Sequence, residues 1–449
     1  MLRRVLSAPL RSLNRFASSA SFDFNPVLLH DIAPADGPPS SGTVTSEEAI
    51  KYYTQMQTIR RMELKADQLY KQKVIRGFCH LYDGQEACCV GMENAIEGTD
   101  DVITSYRAHG WTYVRGIPVK EVLAELFGRD LGCARGRGGS MHMYADGFYG
   151  GNGIVGAQVP LGAGLAWNQK YTNNGGISIS IYGDGAASQG QIFEAYNLSK
   201  LWKLPAIFVC ENNQYGMGTS VDRHSASTEF YKRAGYIPGI LVDGMDVVAV
   251  REATKWAKKF VLENGPLLIE LKTYRYHGHS MSDPGTSYRT RDEVQSMKKT
   301  LDPITGFRKR CIDAGLLTAD QVKSIDKEVK KLIEAETGEA LSSPEPSMDG
   351  IAHNIVKGGF SKKKSIFSLN GVIASLSFSS HLERKKRHSP NRYRPRSLSK
   401  SDLATLTAHM STTSTCKRAS RASSGVTSYL LNQQKICESQ FPSTHLRNP

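Results

Sequence analysis

The sequence predicts an α/β fold in which helices cover both faces of a doubly wound parallel sheet. Two apolar runs rich in β-branched residues, at 177–182 and 205–210, flank a helix-like segment from about 189 to 203. This pattern predicts two parallel strands joined by one crossover helix. Further apolar runs at 239–242 and 266–271, with a helical segment between them, indicate that the β–α alternation continues along the chain.

Residues 1–21 have the composition of a mitochondrial transit peptide. The segment contains four arginines and no acidic residue, and its larger apolar residues can share one face of a helix. Serine and alanine dominate its end, which predicts cleavage near 16–21 and import into the mitochondrial matrix. A basic disordered chain end is the alternative interpretation.

Residues 22–45 are predicted to form an N-terminal arm, because the second half of this stretch is rich in Pro, Gly and Ser. The sequence Thr-Ser-Glu-Glu at 45–48 is a capping box, which predicts that a long helix opens the main domain at 46–345. The other elements follow from apolar periodicity, capping residues and breakers. They are helices at 85–96, 118–127, 247–263, 291–300, 303–314 and 318–340, and a strand at 101–106.

The formal net charge of +14 lies in the last part of the chain. Residues 351–449 hold 17 Lys and Arg against three Asp and Glu, so the preceding residues are neutral overall. Nucleic-acid binding by the folded part is therefore not expected. The eight cysteines show no spacing typical of a disulfide framework or a zinc site. No apolar run approaches the roughly 20 residues of a membrane span.

Polar residues follow both central strands at the point where each strand ends. Gly-Asp-Gly at 183–185 follows the first strand, and Asn-Asn at 212–213 follows the second. Parallel neighbours end at the same edge of a sheet, where open α/β sheets bind ligands. A carboxylate and an amide oxygen suit Mg²⁺, and the glycines permit close approach of a diphosphate. Either motif alone would indicate only a turn. Together they predict a shared site for Asp184 and Asn213.

These motifs resemble the signature of thiamine-diphosphate-dependent enzymes. From about residue 22 to 346 the chain resembles the thiamine-diphosphate-dependent 2-oxo acid dehydrogenase family, and within it the alpha subunits that act on pyruvate. Two further motifs narrow the resemblance to the alpha subunits that act on pyruvate. They are Arg-Gly-Gly-Ser-Met-His at 137–142 and Tyr-His-Gly-His-Ser at 276–280. It implies a fold of the thiamine-diphosphate-binding type with a helical C-terminal part. It also implies oxidative decarboxylation of pyruvate with transfer of the acetyl group to lipoamide.

The resemblance further implies a set of site residues. The metal ligands would be Asp184, Asn213 and the backbone carbonyl of Tyr215. His80 and His279 would orient pyruvate and stabilise developing charge, although a lone loop histidine is more often structural. The remaining contacts to thiamine diphosphate are assigned to Tyr106, Arg107, Gly153, Val155, Gly185, Ala186 and Arg275, together with His279.

The resemblance implies several partners. In this family a Glu of the beta subunit activates the aminopyrimidine of the cofactor, so the site is expected to be completed in a heterotetramer. The lipoyl domain of dihydrolipoamide acetyltransferase would accept the acetyl group. A dedicated kinase phosphorylates three serine positions in the family, and a phosphatase removes the phosphates. These positions match Ser220, Ser280 and Ser287. Each phosphate would add nearly two negative charges beside the site.

Three other functions remain open from the sequence. A branched-chain 2-oxo acid dehydrogenase alpha subunit is the closest alternative, but that group usually carries Gly-Glu-Gly at the first metal motif. A bacterial-type acetoin dehydrogenase fits poorly with a transit peptide. A catalytically inactive paralogue fits poorly with intact metal and histidine positions. Beyond about residue 346 the chain departs from the family, and 346–449 is predicted to be a disordered basic tail that forms no packed domain.

Overall fold

The protein is described by a computed structural model that covers residues 17–348 and residue 350. Its centre is a six-stranded sheet, and a separate two-stranded ribbon lies in the N-terminal arm. The predicted α/β class is confirmed. The strands, in chain order, are β1 (Ser19–Asp23), β2 (Leu28–His30), β3 (Ser41–Thr45), β4 (Asp101–Ile103), β5 (Ser178–Gly183), β6 (Ala206–Asn212), β7 (Gly239–Asp243) and β8 (Leu267–Lys272).

Helices follow the strands in the alternation that the sequence predicts. In chain order they are α1 (Ser46–Lys71), α2 (Glu86–Glu93), α3 (His109–Val114), α4 (Val119–Leu126), α5 (Gln158–Thr172), α6 (Gly190–Leu201), α7 (Val221–His224), α8 (Val247–Asn264), α9 (Arg291–Leu301), α10 (Pro303–Asp313) and α11 (Ala319–Ser342). The predicted capping box is present, because the Thr45 side chain accepts from the Glu48 amide and the Glu48 side chain accepts from the Thr45 amide. A second capping box at Thr318 opens α11.

The order of strands across the large sheet is β2-β7-β8-β6-β5-β4. All neighbours from β7 to β4 run parallel, and β2 alone pairs antiparallel, with β7. In the central pair, Gly183 of β5 lies opposite Glu211 of β6. The two strands therefore end side by side, and the residues that follow them emerge at one edge of the sheet.

Two apolar clusters cover the two faces of the sheet. Alternate residues of β6 point to opposite faces, as strand geometry requires. Ile207 and Val209 join the cluster that contains α1, α2 and α8, whereas Phe208 and Cys210 join the cluster that contains α5 and α6. Helices on both faces explain why the central strands read as continuous apolar runs.

The N-terminal arm differs from the predicted loop. Strands β1 and β3 pair antiparallel, and β2 extends the large sheet by one edge strand. Phe22 and Val44 anchor the ribbon, with 7% and 0% of their surfaces exposed. The apolar anchors are too far apart in sequence to give a strand signal in a segment rich in Pro and Gly. Strand β1 begins at Ser19, inside the predicted transit peptide at 1–21. The cleavage site of that peptide remains a prediction.

Strand β4 is shorter than the predicted strand at 101–106. It pairs with β5 only as far as Ile103, and its other side pairs with the glycine-rich segment from Val102 onward. The Thr104 amide donates to the Gly150 carbonyl at 3.0 Å, and the Tyr149 amide donates to the Val102 carbonyl at 2.8 Å. This departure directs Tyr106 and Arg107 towards the loop that precedes α2.

Two predictions concern residues that the structure does not describe. The first 16 residues of the predicted transit peptide lie outside the described part, and so does the predicted tail from 351 onward. None of the helices in the described part is both long and apolar enough to cross a membrane.

Candidate functional site

Asp184 and Asn213 occupy the edge at which β5 and β6 end. Both side chains are buried, with 1% and 8% of their surfaces exposed. The Oδ1 atom of each has no hydrogen-bond partner within the described residues. Buried polar atoms are nearly always satisfied, so two unpartnered oxygens at neighbouring strand ends require an explanation. A hard divalent cation that binds oxygen ligands provides one.

The second polar atom of each side chain is held by a neighbour. His224 Nε2 lies 3.2 Å from Asp184 Oδ2, and Asn213 Nδ2 donates to Gln85 Oε1 at 2.9 Å. The hydrogen bond to Asp184 raises the pKa of His224. These contacts orient both Oδ1 atoms. Sequence analysis missed His224 and Gln85, because each reaches the site from a loop-proximal segment with no motif of its own.

The third predicted metal ligand has a different environment. The carbonyl of Tyr215 accepts from Arg275 Nη1 at 3.1 Å, and the same nitrogen lies 3.2 Å from the carbonyl of Gly216. A carbonyl oxygen carries two lone pairs, so one acceptor position is used and one remains. Among the described residues there is no cluster of three or more His, Cys, Asp and Glu that could hold a metal. A site built from one carboxylate, one amide and one carbonyl is compatible with that finding.

Arg275 ties two loops of the site together. Besides the carbonyls of Tyr215 and Gly216, its guanidinium donates to the His277 carbonyl at 3.1 Å and to the Tyr288 hydroxyl at 3.1 Å. Burial, followed by the positive charge of Arg107, lowers the pKa of Arg275 to about 10. These four contacts hold the segment that follows β8 against the loop that follows β6.

His80 and His279 face each other across the site. Their ring centroids lie 5.3 Å apart, and Tyr106 packs against both, at 4.5 Å from His80 and 5.3 Å from His279. Both Nδ1 atoms are buried without a hydrogen-bond partner in the described part of the chain. Burial, followed by the charge of Arg107, lowers the pKa of His80 to about 2 and that of His279 to about 4. Both imidazoles are therefore neutral at physiological pH.

Arg107 joins the segments that carry these histidines. Its guanidinium donates to the carbonyl of Leu81 and, at 2.9 Å, to the carbonyl of His279. Only 3% of Arg107 is exposed. A guanidinium has five N–H donors, so contacts to two carbonyls leave donors for a phosphate. The contact between loops is a second role, which no sequence motif indicates because both acceptors are backbone atoms far away in the chain.

Gly185 and Ala186, which are predicted to approach the cofactor, lie at the same edge of the sheet as Asp184. A Cβ atom added at Gly185 would lie 3.4 Å from the Cα of Gly216, so the loops after β5 and β6 are already close there. Asp184, Gly185 and Ala186 form a single turn of 3₁₀ helix. Helix α6 begins only at Gly190, so its N-terminus is separated from Gly185 by that turn. Gly153 and Val155 lie in the loop before α5, and 40% of Val155 is exposed.

The three predicted phosphorylation positions differ in exposure. Ser280 is 8% exposed, and its Oγ lies 2.9 Å from that of Ser282. Ser287 is exposed, and Ser220 is half-buried at the N-cap of α7. Asp283 braces the loop around Ser280, because it accepts from the amide of His279 at 2.7 Å and from the amide of Gly285 at 2.8 Å.

A buried carboxylate behind the site was also missed. Glu211 precedes the Asn-Asn motif on β6, is 4% exposed, and accepts from the hydroxyl of Tyr82. Burial raises its pKa to about 7. The only signal in the sequence is a charged residue directly after an apolar run, which does not identify its partner.

Known proteins are similar to this chain over all of the site residues described above. A family model described as dehydrogenase E1 component matches residues 54–349. The mitochondrial pyruvate dehydrogenase E1 component subunit alpha of Sminthopsis macroura is 60% identical over 341 residues, which are 76% of this chain and 93% of that relative. The somatic form of the subunit from Bos taurus is 57% identical over 354 residues, which are 79% of this chain and 90% of that relative. The testis-specific form from Rattus norvegicus is also 57% identical over 354 residues, with the same coverage.

Proposed function

The chain belongs to the dehydrogenase E1 component family, and from this premise we propose that it is the alpha subunit of a pyruvate dehydrogenase. The relatives carry the name pyruvate dehydrogenase E1 component subunit alpha, which supports pyruvate over branched-chain 2-oxo acids as the substrate. The reaction is the oxidative decarboxylation of pyruvate with transfer of the acetyl group to lipoamide. The relatives are mitochondrial by name, and the chain acts in the mitochondrial matrix.

The enzyme depends on thiamine diphosphate and Mg²⁺, as its family does. We propose that Asp184, Asn213 and the carbonyl of Tyr215 hold the magnesium ion. The unpartnered, buried Oδ1 atoms of the first two carry this proposal, because a hard cation satisfies both. Contacts to the remainder of the cofactor are assigned to Tyr106, Arg107, Gly153, Val155, Gly185 and Ala186.

When bound, thiamine diphosphate supplies the electron sink that lets a 2-oxo acid lose carbon dioxide. His80 and His279 are assigned to pyruvate. Because both imidazoles are neutral, each donates through one ring nitrogen and accepts through the other. The N–H group of a neutral imidazole can donate to the charge that develops on the substrate oxygen. Tyr106 packs against both rings and restricts their rotation.

The family implies that the chain assembles with a beta subunit in a heterotetramer. We propose that this partner supplies the carboxylate that activates the aminopyrimidine, since none is assigned to that role here. The lipoyl domain of dihydrolipoamide acetyltransferase is the proposed acceptor of the acetyl group. A pyruvate dehydrogenase kinase and its phosphatase are proposed to act on Ser220, Ser280 and Ser287.

Reconstitution with a beta subunit tests the proposal. Decarboxylation of pyruvate is expected to require both subunits, thiamine diphosphate and Mg²⁺, and to exceed decarboxylation of branched 2-oxo acids at equal concentration. The matched control is an Asp184→Asn chain assembled with the same beta subunit, which should decarboxylate neither substrate. Preference for a branched 2-oxo acid would assign the chain to the alternative family.

A further inference from the structure

Glu63, His109 and Ser140 form a buried chain of hydrogen bonds beneath the histidine pair. His109 Nδ1 lies 2.9 Å from Glu63 Oε2, and His109 Nε2 lies 2.8 Å from Ser140 Oγ. Glu63 and His109 are fully buried, and Ser140 is 4% exposed. The residues come from α1, from the start of α3 and from the glycine-rich loop before α5. No part of the proposed chemistry so far uses them.

Ser140 and Glu63, the two ends of this hydrogen-bonded network, hold the backbone on either side of Leu81. The His80 amide donates to Ser140 Oγ at 3.1 Å, and the Tyr82 amide donates to Glu63 Oε1 at 2.9 Å. Arg107 holds the carbonyl of Leu81 between them. Three successive residues of the segment that carries His80 are thus fixed by side chains from separate elements.

The donors and acceptors that each group carries limit the direction of these hydrogen bonds. An ionised carboxylate only accepts, so His109 Nδ1 carries a proton and donates to Glu63. The Ser140 oxygen accepts from the His80 amide, so its hydroxyl proton is available to donate to His109 Nε2. Every polar atom of the path from Glu63 to the His80 amide then has a hydrogen-bond partner. A satisfied buried network of this kind fixes geometry strongly.

The order Glu–His–Ser also occurs in hydrolytic triads, but Ser140 is not placed to act as a nucleophile. Only 4% of its surface is exposed, and its oxygen already accepts from the backbone of His80. A nucleophile needs a free lone pair that faces a bound substrate. The role of the three residues must therefore be exerted through the groups that they hold.

We propose that Glu63, His109 and Ser140 are positioning residues that set the location of His80 relative to pyruvate. The proposal rests on the function assigned to His80 above. Removing Ser140 Oγ leaves the His80 amide without its acceptor, so the backbone of residue 80 relaxes and its imidazole moves. Because a displacement of about 1 Å can reduce a rate about 100-fold, kcat for pyruvate is expected to fall between 10-fold and 100-fold.

A double-mutant cycle in the assembled enzyme tests this proposal. Ser140→Ala, His80→Ala and the double variant are each assembled with the beta subunit, and kcat and KM for pyruvate are measured with saturating thiamine diphosphate. Ser140→Ala alone should lower kcat at least 10-fold while cofactor affinity stays within about twofold. In the His80→Ala background the same change should cost less than about twofold, because the group that it positions is gone.

The matched control is Ser199→Ala, which removes a fully buried hydroxyl that has no partner among the described residues. It should change kcat less than twofold in either background. Equal losses from Ser140→Ala with and without His80 would overturn the positioning role, as would no loss in the wild-type background. Full activity of His80→Ala alone would instead contradict the role of His80 itself. If Ser140→Ala fails to assemble, Glu63→Gln enters the same cycle and the same criteria apply.

Discussion

The imidazole rings of His80 and His279 lie 5.3 Å apart at an interplanar angle of 83°, although one precedes α2 and the other follows β8. The contact depends on Arg107, which donates to the carbonyls of Leu81 and His279 and so joins the segments that carry both rings. The same guanidinium lowers the pKa of both imidazoles, after the larger effect of burial. One side chain thus joins the segments that carry both histidines and adds to the effect of burial on their pKa values.

Asp184→Asn should remove most of the Mg²⁺-dependent affinity for thiamine diphosphate. The substitution preserves shape but replaces the anionic Oδ1 with a neutral atom, so the attraction to a divalent cation is lost. Calorimetry with Mg²⁺ present should show at least a 100-fold weaker affinity. Asp222→Asn, at an exposed position close in sequence to His224, is the control and should bind as the wild type does. Undiminished affinity in Asp184→Asn would refute the assigned metal site.

Arg107→Lys should impair activity even though the positive charge remains. Lysine has a single nitrogen and cannot span the carbonyls of Leu81 and His279 as a planar guanidinium does. We expect kcat for pyruvate to fall about 10-fold or more, since the two loops lose their common donor and a buried carbonyl is left unpaired. Steady-state kinetics of the assembled enzyme measures this loss. Arg223→Lys, at an exposed site, should change nothing, and a fully active Arg107→Lys enzyme would contradict the bridging role.

Ser280→Glu should inactivate more strongly than Ser287→Glu. Ser280 is 8% exposed and directly follows His279, so a negative charge there is desolvated and lies against the braced loop. Ser287 is exposed, and water screens a charge at that position. Reductive acetylation of lipoamide by the assembled enzyme gives the comparison. Equal activity of Ser280→Glu and the wild type would show that charge at this position does not regulate the enzyme.

The buried, neutral state of His80 predicts a pH dependence of stability. Its folded pKa is about 2, whereas an unfolded histidine titrates near 6.5. As the pH falls below 6.5, His80 is protonated in the unfolded chain but stays neutral in the folded chain. The free energy of unfolding therefore decreases on acidification. Between pH 7.5 and 5.5 this loss is about 1 kcal/mol, and His80→Gln should not show it. Urea midpoints of both proteins at the two pH values test the difference. Identical losses in wild type and His80→Gln would mean that His80 titrates normally in the folded state.

Gly162→Ala should destabilise the packing of α5 on β5. A Cβ atom at this position would lie 1.7 Å from Ser180 Oγ and 3.1 Å from a methyl carbon of Ile103. Overpacking of this kind costs about 1–3 kcal/mol, which a lower melting temperature would reveal. Gly164→Ala on the same helix is the matched control, because no atom lies within 4 Å of its added Cβ. That control should be neutral or slightly stabilising, since alanine favours helix over glycine by about 1 kcal/mol. Equal melting temperatures for the two variants would contradict the packing argument.

The sequence by itself determined the fold class, the family, the function and the cofactors, and each of these predictions is confirmed. The fold class follows from short-range patterns, and the family, the function and the cofactors follow from the resemblance that the motifs at the strand ends carry. Apolar runs of five or six residues identify buried strands, capping boxes identify helix starts, and Gly-Asp-Gly and Asn-Asn identify two strand ends. Because parallel strands joined by one crossover end at one edge, the joint location of Asp184 and Asn213 followed without knowledge of any side-chain contact.

Tertiary structure alone decided which groups surround the site. His224 and Gln85 orient Asp184 and Asn213, and Arg107 joins two loops through backbone carbonyls. The contacts of Glu63 with His109, and of the N-terminal arm with the large sheet, likewise connect segments that are distant in the chain. Hydrogen bonds to backbone atoms leave no residue-type signature at the acceptor, and a buried polar pair is specified only when packing brings both partners together. Local sequence therefore fixes the central strands and the edge at which β5 and β6 end, whereas long-range packing fixes the strands of the arm, the end of β4 and the direction in which each polar atom points.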